Sequence, residues 1–233
     1  MIYVTSDLHG YPLEKFQKLL NKANFSNDDY CYILGDVIDR GNEGIKTLRW
    51  LLAQPNIQVL MGNHEKMFIS CDFLFEDIAD IAVDNLNKEQ KESFATWMAN
   101  GARATINEIS TLNHTVISHI LEKVKHLPMY KMLSVGDKTF LLTHSGLGGF
   151  TKEKKVCDYS TKELLWNRPK LTDNYSQKFT TVFGHTPTHY YGESYKGKAI
   201  VTDTWIDIDT GAACGFSPML LRLDDMKEFY IDE

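Results

Sequence analysis

The sequence predicts an α/β fold with an α+β second half, and three observations lead there. Apolar runs of strand length alternate with amphipathic runs of helix length from residue 2 to residue 63. From about Glu65 to Leu127 the chain reads as helical, with no convincing strand. After Pro128 the apolar spacing changes to a period of two.

Residues 2–7 (IYVTSD) form the first expected strand, and 12–23 (PLEKFQKLLNKA) an amphipathic helix with Pro12 suited to its first turn. A second strand is expected at 30–36 (YCYILGD), a second helix at 43–54 (EGIKTLRWLLAQ) and a third strand at 57–63 (IQVLMGN). Alternation of this length indicates βαβ units and a parallel sheet. Residues 66–127 are then a helical cap or insertion within a single domain spanning 1–233. MYKMLSV and TFLLTHSGL, joined by GDK, make a hairpin. A short helix at 161–166 precedes strand-like runs at 180–187, 198–205, 205–211 and 218–225.

At 233 residues and 43% hydrophobic content, the chain can bury one full core. Its net charge of −6, without any Lys/Arg run, argues against nucleic-acid and membrane partners. An anionic ligand would need a local site that overcomes this field. The start, MIYVTSD, has neither a basic leader nor an apolar signal run, and no stretch reaches the roughly 18 apolar residues of a membrane span. Cys31, Cys71, Cys157 and Cys214 lack C-x-x-C spacing and read as reduced core thiols, so a cytoplasmic location is expected.

Each of the first three strands runs into a polar cluster: SDLHG, GDVIDRG and GNHE. Ligands of open α/β sheets bind outside the carboxyl ends of the strands, so the three clusters fall on one rim. Asp7 and His9 stand two apart and can point to one side, Asp36 ends the second strand, and Asn63 and His64 end the third. His144 (LLTHSG) and His185 (FGHTP) each close an apolar run in the second half. Mixed Asp, Asn and His donors suit manganese, iron or zinc rather than calcium, which prefers all-oxygen cages. Asp7, His9, Asp36, Asn63, His144 and His185 suffice for two ions with Asp36 shared between them. Paired ions roughly 3.5–4 Å apart can hold a hydroxide and stabilise both oxygens of a displacement at phosphorus.

The order D-x-H, G-D-x-x-D-R-G, G-N-H-E, a later His-x-Gly and G-H-T resembles that of calcineurin-like metallophosphoesterases of the phosphoprotein phosphatase type. In this chain the motifs are DLHG, GDVIDRG, GNHE, THSG and GHTP, between residues 7 and 186. The resemblance implies a four-layer fold, a two-sheet β-sandwich flanked by helices, with two divalent ions at one edge. The alternation of elements alone would not yield a sandwich. By position, Asp7, His9 and Asp36 would hold one ion, and Asp36, Asn63, His144 and His185 the other, with manganese foremost and iron or zinc acceptable. His64 would be the general acid toward the leaving oxygen, with Asp39 orienting its ring. Arg40, Arg168 (LLWNRP) and Asn63 would bind the phosphate, guanidinium forks matching its oxygens in shape and charge.

Two segments depart from the pattern. NGARAT (100–105) stands where bacterial relatives often have Asn-Gly-Gly, and TGAACGF (210–216) replaces a Gly-Cys-Val-like turn. Neither touches an expected ligand, and both bear on what the pocket accepts. Asp209 reads equally as a neighbour of the metals or a structural strand-end residue, and Arg103 as a solvated arginine. His114, His119, His126 and His189 read as surface histidines, and Glu65 as a cap for the helix it opens. GESYKGKA (192–199) lacks the Ser/Thr and the following helix of a phosphate-binding loop. No cysteine has Cys-x5-Arg spacing, so direct attack by the metal-held hydroxide is expected.

The expected activity is therefore a serine/threonine protein phosphatase acting on a phosphorylated protein. A symmetrical diadenosine tetraphosphate hydrolase, with a dinucleotide substrate, is the alternative. A non-catalytic scaffold is a third reading, disfavoured by the intact His64–Asp39 pair and both arginines.

Overall fold

The computed structural model describes residues 1–75 and 86–231. Its first part follows the expected alternation: β1 (Ile2–Thr5), α1 (Leu13–Lys22), β2 (Tyr30–Ile33), α2 (Gly44–Leu51) and β3 (Ile57–Val59). Next come α3 (Asn63–Ser70), α4 (Lys88–Ala99), α5 (Arg103–Ile109) and α6 (His114–Lys125). Residues 76–85 of the expected insertion lie outside the described residues, as do 232–233 of the expected domain. The hairpin follows as β4 (Tyr130–Val135) and β5 (Lys138–Thr143), with Val135 paired to Lys138. The remaining elements are α7 (Thr161–Leu165), β6 (Thr180–Phe183), β7 (Ile200–Val201), β8 (Trp205–Asp207), β9 (Leu220–Arg222) and β10 (Lys227–Phe229).

The helices form where apolar residues recur at helical spacing. Helix α1 buries Leu13, Phe16, Leu19 and Leu20, and α6 buries Ile117, Ile120, Leu121 and Val124. Asn87 and Asn113 cap α4 and α6 by accepting the Gln90 and Val116 N–H groups. Helix α2 has no cap of its own. Glu108 of α5 accepts its Ile45 and Lys46 N–H groups at 3.0 and 3.1 Å.

The strands form two five-stranded sheets, ordered β10-β9-β1-β2-β3 and β4-β5-β6-β8-β7. The first carries β1, β2 and β3 in parallel, the second β5, β6 and β8. Alternation along each strand decides the layers. Tyr3, Cys31, Ile33 and Val59 pack against the helices, in a cluster with Phe16, Leu48, Phe68 and Ile120. Val4, Tyr32 and Leu34 face inward and meet Phe140, Leu142, Val182 and Ile206 of the other sheet. Leu141, Phe183 and Trp205 cover the outer face with Leu164, Tyr159 and Tyr175. The sandwich core lies between the sheets, and each large side chain fully buried there contributes about 1.5–3 kcal/mol.

Several expectations need correction. The run 218–225 is not one strand: β9 stops at Arg222, Met226 takes a φ of +60°, and the chain returns antiparallel as β10. The run 198–205 keeps only Ile200–Val201 as strand, because Thr202 N–H turns to the Trp205 carbonyl at 2.9 Å. Cys157 and Cys214 are exposed, leaving only Cys31 and Cys71 as core thiols. His189 is half-buried against Tyr190 and Phe216 rather than on the surface.

Thr5 pairs with Ile33, and Ile33 with Val59, so β1, β2 and β3 end level with one another. The three polar clusters therefore leave the sheet at the same height.

Candidate metal centre

Seven side chains reach one edge, where parallel strands of both sheets end. Asp7 and His9 follow β1, Asp36 follows β2, and Asn63 and His64 open α3 just after β3. His144 directly follows β5, and His185 lies two residues beyond β6. The two sheets are joined here: His185 N–H donates to Asp7 Oδ2 at 2.9 Å across 178 residues of sequence.

The backbone bends sharply to aim these groups. Among the described residues, eight non-glycine positions have positive φ, and six of them are Asp7, His9, Asp36, Asp39, Arg40 and His185. Such conformations cost about 1–2 kcal/mol each, and their concentration at one edge marks a place where side-chain direction outweighs backbone comfort. Two glycines keep the space clear. A Cβ on Gly62 would meet Asp36 Oδ1, and one on Gly184 would meet Asp7 Oδ2 and Ser6 Oγ.

Asp36 divides its carboxylate between two tasks. Its Oδ1 accepts the His64 N–H at 3.0 Å. Its Oδ2 faces three imidazole nitrogens: His144 Nε2 at 3.4 Å, His9 Nε2 at 3.6 Å and His64 Nε2 at 3.8 Å. His9 and His144 each donate Nδ1–H to a backbone carbonyl, of Ile38 at 3.2 Å and Leu34 at 2.8 Å, which directs both Nε2 atoms at the site. Around His144 Nε2 stand Asn63 Oδ1 at 2.8 Å and His185 Nδ1 at 3.2 Å. Asp7 Oδ1 lies 3.8 Å from His9 Nε2 and is buried without a hydrogen-bond partner.

Two groups of donor atoms thus share Asp36: His9, Asp36 and His64, and Asp36, His144 and His185. Imidazole nitrogens and carboxylate and amide oxygens crowded together at one buried edge suit a cation, so this residue set fits divalent metal ions. The protonation pattern agrees. Burial would lower the His144 pKa, but the Asp36 carboxylate outweighs it and pushes it up to about 10. His185 is pushed down to about 2, by burial and then by His144. Burial would raise Asp36, yet His144 and His64 hold it well below the usual carboxylate range. Asp7 is raised by burial and by Asp36. One proton on His144 Nε2 cannot satisfy the three acceptors around it, Asp36 Oδ2, Asn63 Oδ1 and His185 Nδ1.

Beside these donors, His64 donates Nδ1–H to Asp39 Oδ2 at 2.6 Å. Its Nε2 lies 3.2 Å from an Arg40 Nη2. Burial acts to lower its pKa, but Asp36 and the Asp39 hydrogen bond raise it overall. Arg40 and Arg168 are both exposed residues, and Arg168 Nη1 donates to Thr186 Oγ1 at 3.3 Å, next to His185.

All ten expected site residues therefore lie along this edge. Arg103 is exposed, as expected, and Asp209 lies buried with its Oδ1 closing its own turn on Gly211 N–H at 3.0 Å. Three contributors were not legible. Glu65 does more than open its helix: its carboxylate accepts N–H groups of Asp36, Val37 and Gly62 at 2.8, 2.8 and 3.1 Å. Trp97 and Thr105 reach Asp39 from the helical insertion. The Asn/Asp-like spacing rules that reveal ligands carry no signal for an indole or a threonine whose partner is about 60 residues away.

A family model described as calcineurin-like phosphoesterase matches residues 1–211. Serine/threonine-protein phosphatase 2 of Salmonella typhimurium is 27% identical over 217 residues, covering 91% of this chain and 88% of that protein. The symmetrical bis(5'-nucleosyl)-tetraphosphatase of Buchnera aphidicola is 37% identical over 65 residues, 27% of this chain, and the match spans 23% of that relative's length. A solved structure described provisionally as a diadenosine tetraphosphatase has a TM-score of 0.66 at 15% identity, covering 99% of this chain and 92% of that one. At that identity the likeness is one of fold.

Proposed function

Because the chain belongs to the calcineurin-like phosphoesterase family, we propose that it hydrolyses phosphate esters with two divalent ions, as a serine/threonine protein phosphatase. The supporting observation is the shared Asp36, whose Oδ2 faces imidazoles of both donor groups while His64 Nε2 stands beside it. Asp7, His9 and Asp36 would hold one ion, and Asp36, Asn63, His144 and His185 the other. Bound there, the ions would supply charge neutralisation at phosphorus and a water acidified enough to attack.

The remaining work falls to side chains of this chain. Arg40 beside His64 and Arg168 beside Thr186, both exposed, grip the phosphate oxygens as bidentate donors, with the Asn63 amide alongside. His64 Nε2 gives a proton to the leaving oxygen, and Asp39 holds the opposite Nδ1–H so that the imidazolium is favoured. Manganese is the foremost ion for this mixed nitrogen and oxygen set, with iron or zinc also accepted.

A phosphoprotein substrate is favoured by the Salmonella relative, which aligns over nearly its whole length. The alternative, a dinucleotide polyphosphate, is favoured by the higher identity of the shorter match. The four cysteines, all free, support a cytoplasmic setting. No helix among the described residues is long and apolar enough to cross a membrane. The test is a rate comparison with added manganese between phosphoserine or phosphothreonine peptides and diadenosine tetraphosphate. Peptide turnover without dinucleotide cleavage is expected, strong preference for the dinucleotide would reverse the substrate, and no manganese-dependent turnover of either would remove the enzyme reading.

A further inference from the structure

The helical insertion touches the site at three points four residues apart. Trp97, in the last turn of α4, donates its indole Nε1–H to Asp39 Oδ2 at 2.9 Å. Gly101, in the turn between α4 and α5, accepts the Arg40 N–H on its carbonyl at 3.1 Å. Thr105, in the first turn of α5, donates its hydroxyl to Asp39 Oδ1 at 2.5 Å and accepts the Asp39 N–H at 3.0 Å. Gly101 has a φ of +101°, and a Cβ there would come within 2.8 Å of Arg40 Cγ. The turn must therefore stay bare for Arg40 to lie over it.

Asp39 and Trp97 are fully buried, and so is Thr105. Asp39 Oδ2 receives two donors, His64 Nδ1–H and the Trp97 indole, while Oδ1 receives the Thr105 hydroxyl. Three donors on the two oxygens of a fully buried carboxylate hold it in one rotamer. Asp39 itself sits at a φ of +70°, a backbone state that its neighbours must hold in place.

We propose that Trp97 and Thr105 are positioning residues for proton delivery, acting through Asp39 to fix the direction in which His64 Nε2 presents its proton. The inference rests on the reading of His64 as general acid and adds a task for the insertion, which becomes a working part of the site rather than a cover over it. Without the indole N–H or the hydroxyl, Asp39 can rotate, and the His64 ring turns with it. Contacts to the phosphate and to the metal donors are left in place.

Kinetics on two leaving groups separate this from a purely structural role. p-Nitrophenyl phosphate departs as a stable anion and needs little protonation, whereas phenyl phosphate and a phosphoserine peptide need the proton. Trp97→Phe keeps the ring and removes only the N–H. Thr105→Val keeps the shape and removes the hydroxyl, and Thr105→Ser restores it. With manganese-loaded enzyme, Trp97→Phe and Thr105→Val should lower kcat on phenyl phosphate and the peptide by about 10- to 100-fold. On p-nitrophenyl phosphate kcat should stay within about two-fold, KM should hold for all substrates, and Thr105→Ser should recover most of the loss. Equal losses on both leaving groups, or no loss on either, would overturn the proposal. His64→Asn is the control for the underlying reading. If it slows both leaving groups equally, His64 is not the acid; if it separates them while Trp97→Phe does not, only the positioning role fails. Should Thr105→Val melt below the assay temperature, Trp97→Phe carries the test alone.

Discussion

The Glu65 carboxylate accepts the Asp36 backbone N–H at 2.8 Å, with both residues buried. Its other oxygen takes the Val37 N–H at 2.8 Å and the Ile38 N–H at 3.4 Å. One acid from the start of α3 thus holds the loop after β2, which offers no strand or helix partner to those three donors. The Asp36 side chain can point at the histidines because its backbone is fixed from behind.

Glu65→Ala should therefore destabilise the fold far more than a surface change. It strands buried N–H groups at about 1–3 kcal/mol each, so a loss of about 3 kcal/mol or more is expected in urea denaturation. Glu65→Gln, which can accept on only one oxygen, should fall between. A Glu65→Ala protein within 1 kcal/mol of the parent, on the order of an ordinary surface substitution, would mean the loop is held by something else.

Asp36→Asn and Asn63→Ala should differ in metal stoichiometry. Asp36 belongs to both donor groups, so its amide variant should retain neither ion after manganese loading and desalting. Its rate should fall by at least about 100-fold, beyond the usual cost of losing an outer partner. Asn63→Ala, next to His144 alone, should keep one. Elemental analysis of the desalted proteins distinguishes zero, one and two ions per chain.

Gly62→Ala and Gly184→Ala test steric room without touching a donor. Neither glycine has positive φ, so any effect comes from the added Cβ meeting Asp36 Oδ1 or Asp7 Oδ2. Overpacking of this kind costs about 1–3 kcal/mol, and the manganese concentration for half-activation should rise with it. Gly184→Ala should impair only the ion that Asp7 is proposed to hold, visible as a biphasic manganese titration. A single unchanged midpoint in both variants would show that the carboxylates have room to move.

Glu163 gives a pH signature away from the metals. Lys154 at 2.5 Å, then the Ser160 N–H and hydroxyl, lower its pKa to about 2 from the usual 4.5. A depressed acid contributes stability that is fully present above its unfolded value and lost as pH falls through the folded one. The capping of α7 should thus hold above pH 4.5 and release progressively toward pH 2. A carboxyl NMR titration should place the Glu163 midpoint near 2; a midpoint near 4.5 would mean Lys154 does not engage it in solution.

The first three strands and their clusters were legible because each local signal agreed with the next: apolar alternation, strand length, then charge. The candidate donors stood out for a related reason, since five clusters of metal-binding residue types in one order are far rarer than any one of them. Pairing the two sheets was not legible. Nothing in PMLLRLDD says that its residues pair beside β1, or that Met226 would turn the chain back. Trp97 and Thr105 look like ordinary core residues of amphipathic helices. Only their hydrogen bonds to Asp39, 58 and 66 residues away, distinguish them.

The bond from His185 to Asp7 also has a bearing on how the chain is made. A ribosome releases Asp7, His9, Asp36 and Asn63 early, and the βαβ units that carry them can pair among themselves. His144 and His185 arrive only after most of the chain has been translated. A nascent or truncated chain therefore carries an incomplete set of candidate donors, and on the proposed two-ion reading capture of a second cation would wait for the final third of synthesis. Prematurely terminated products should accordingly be inert rather than partly active, which spares the cell a half-built hydrolase.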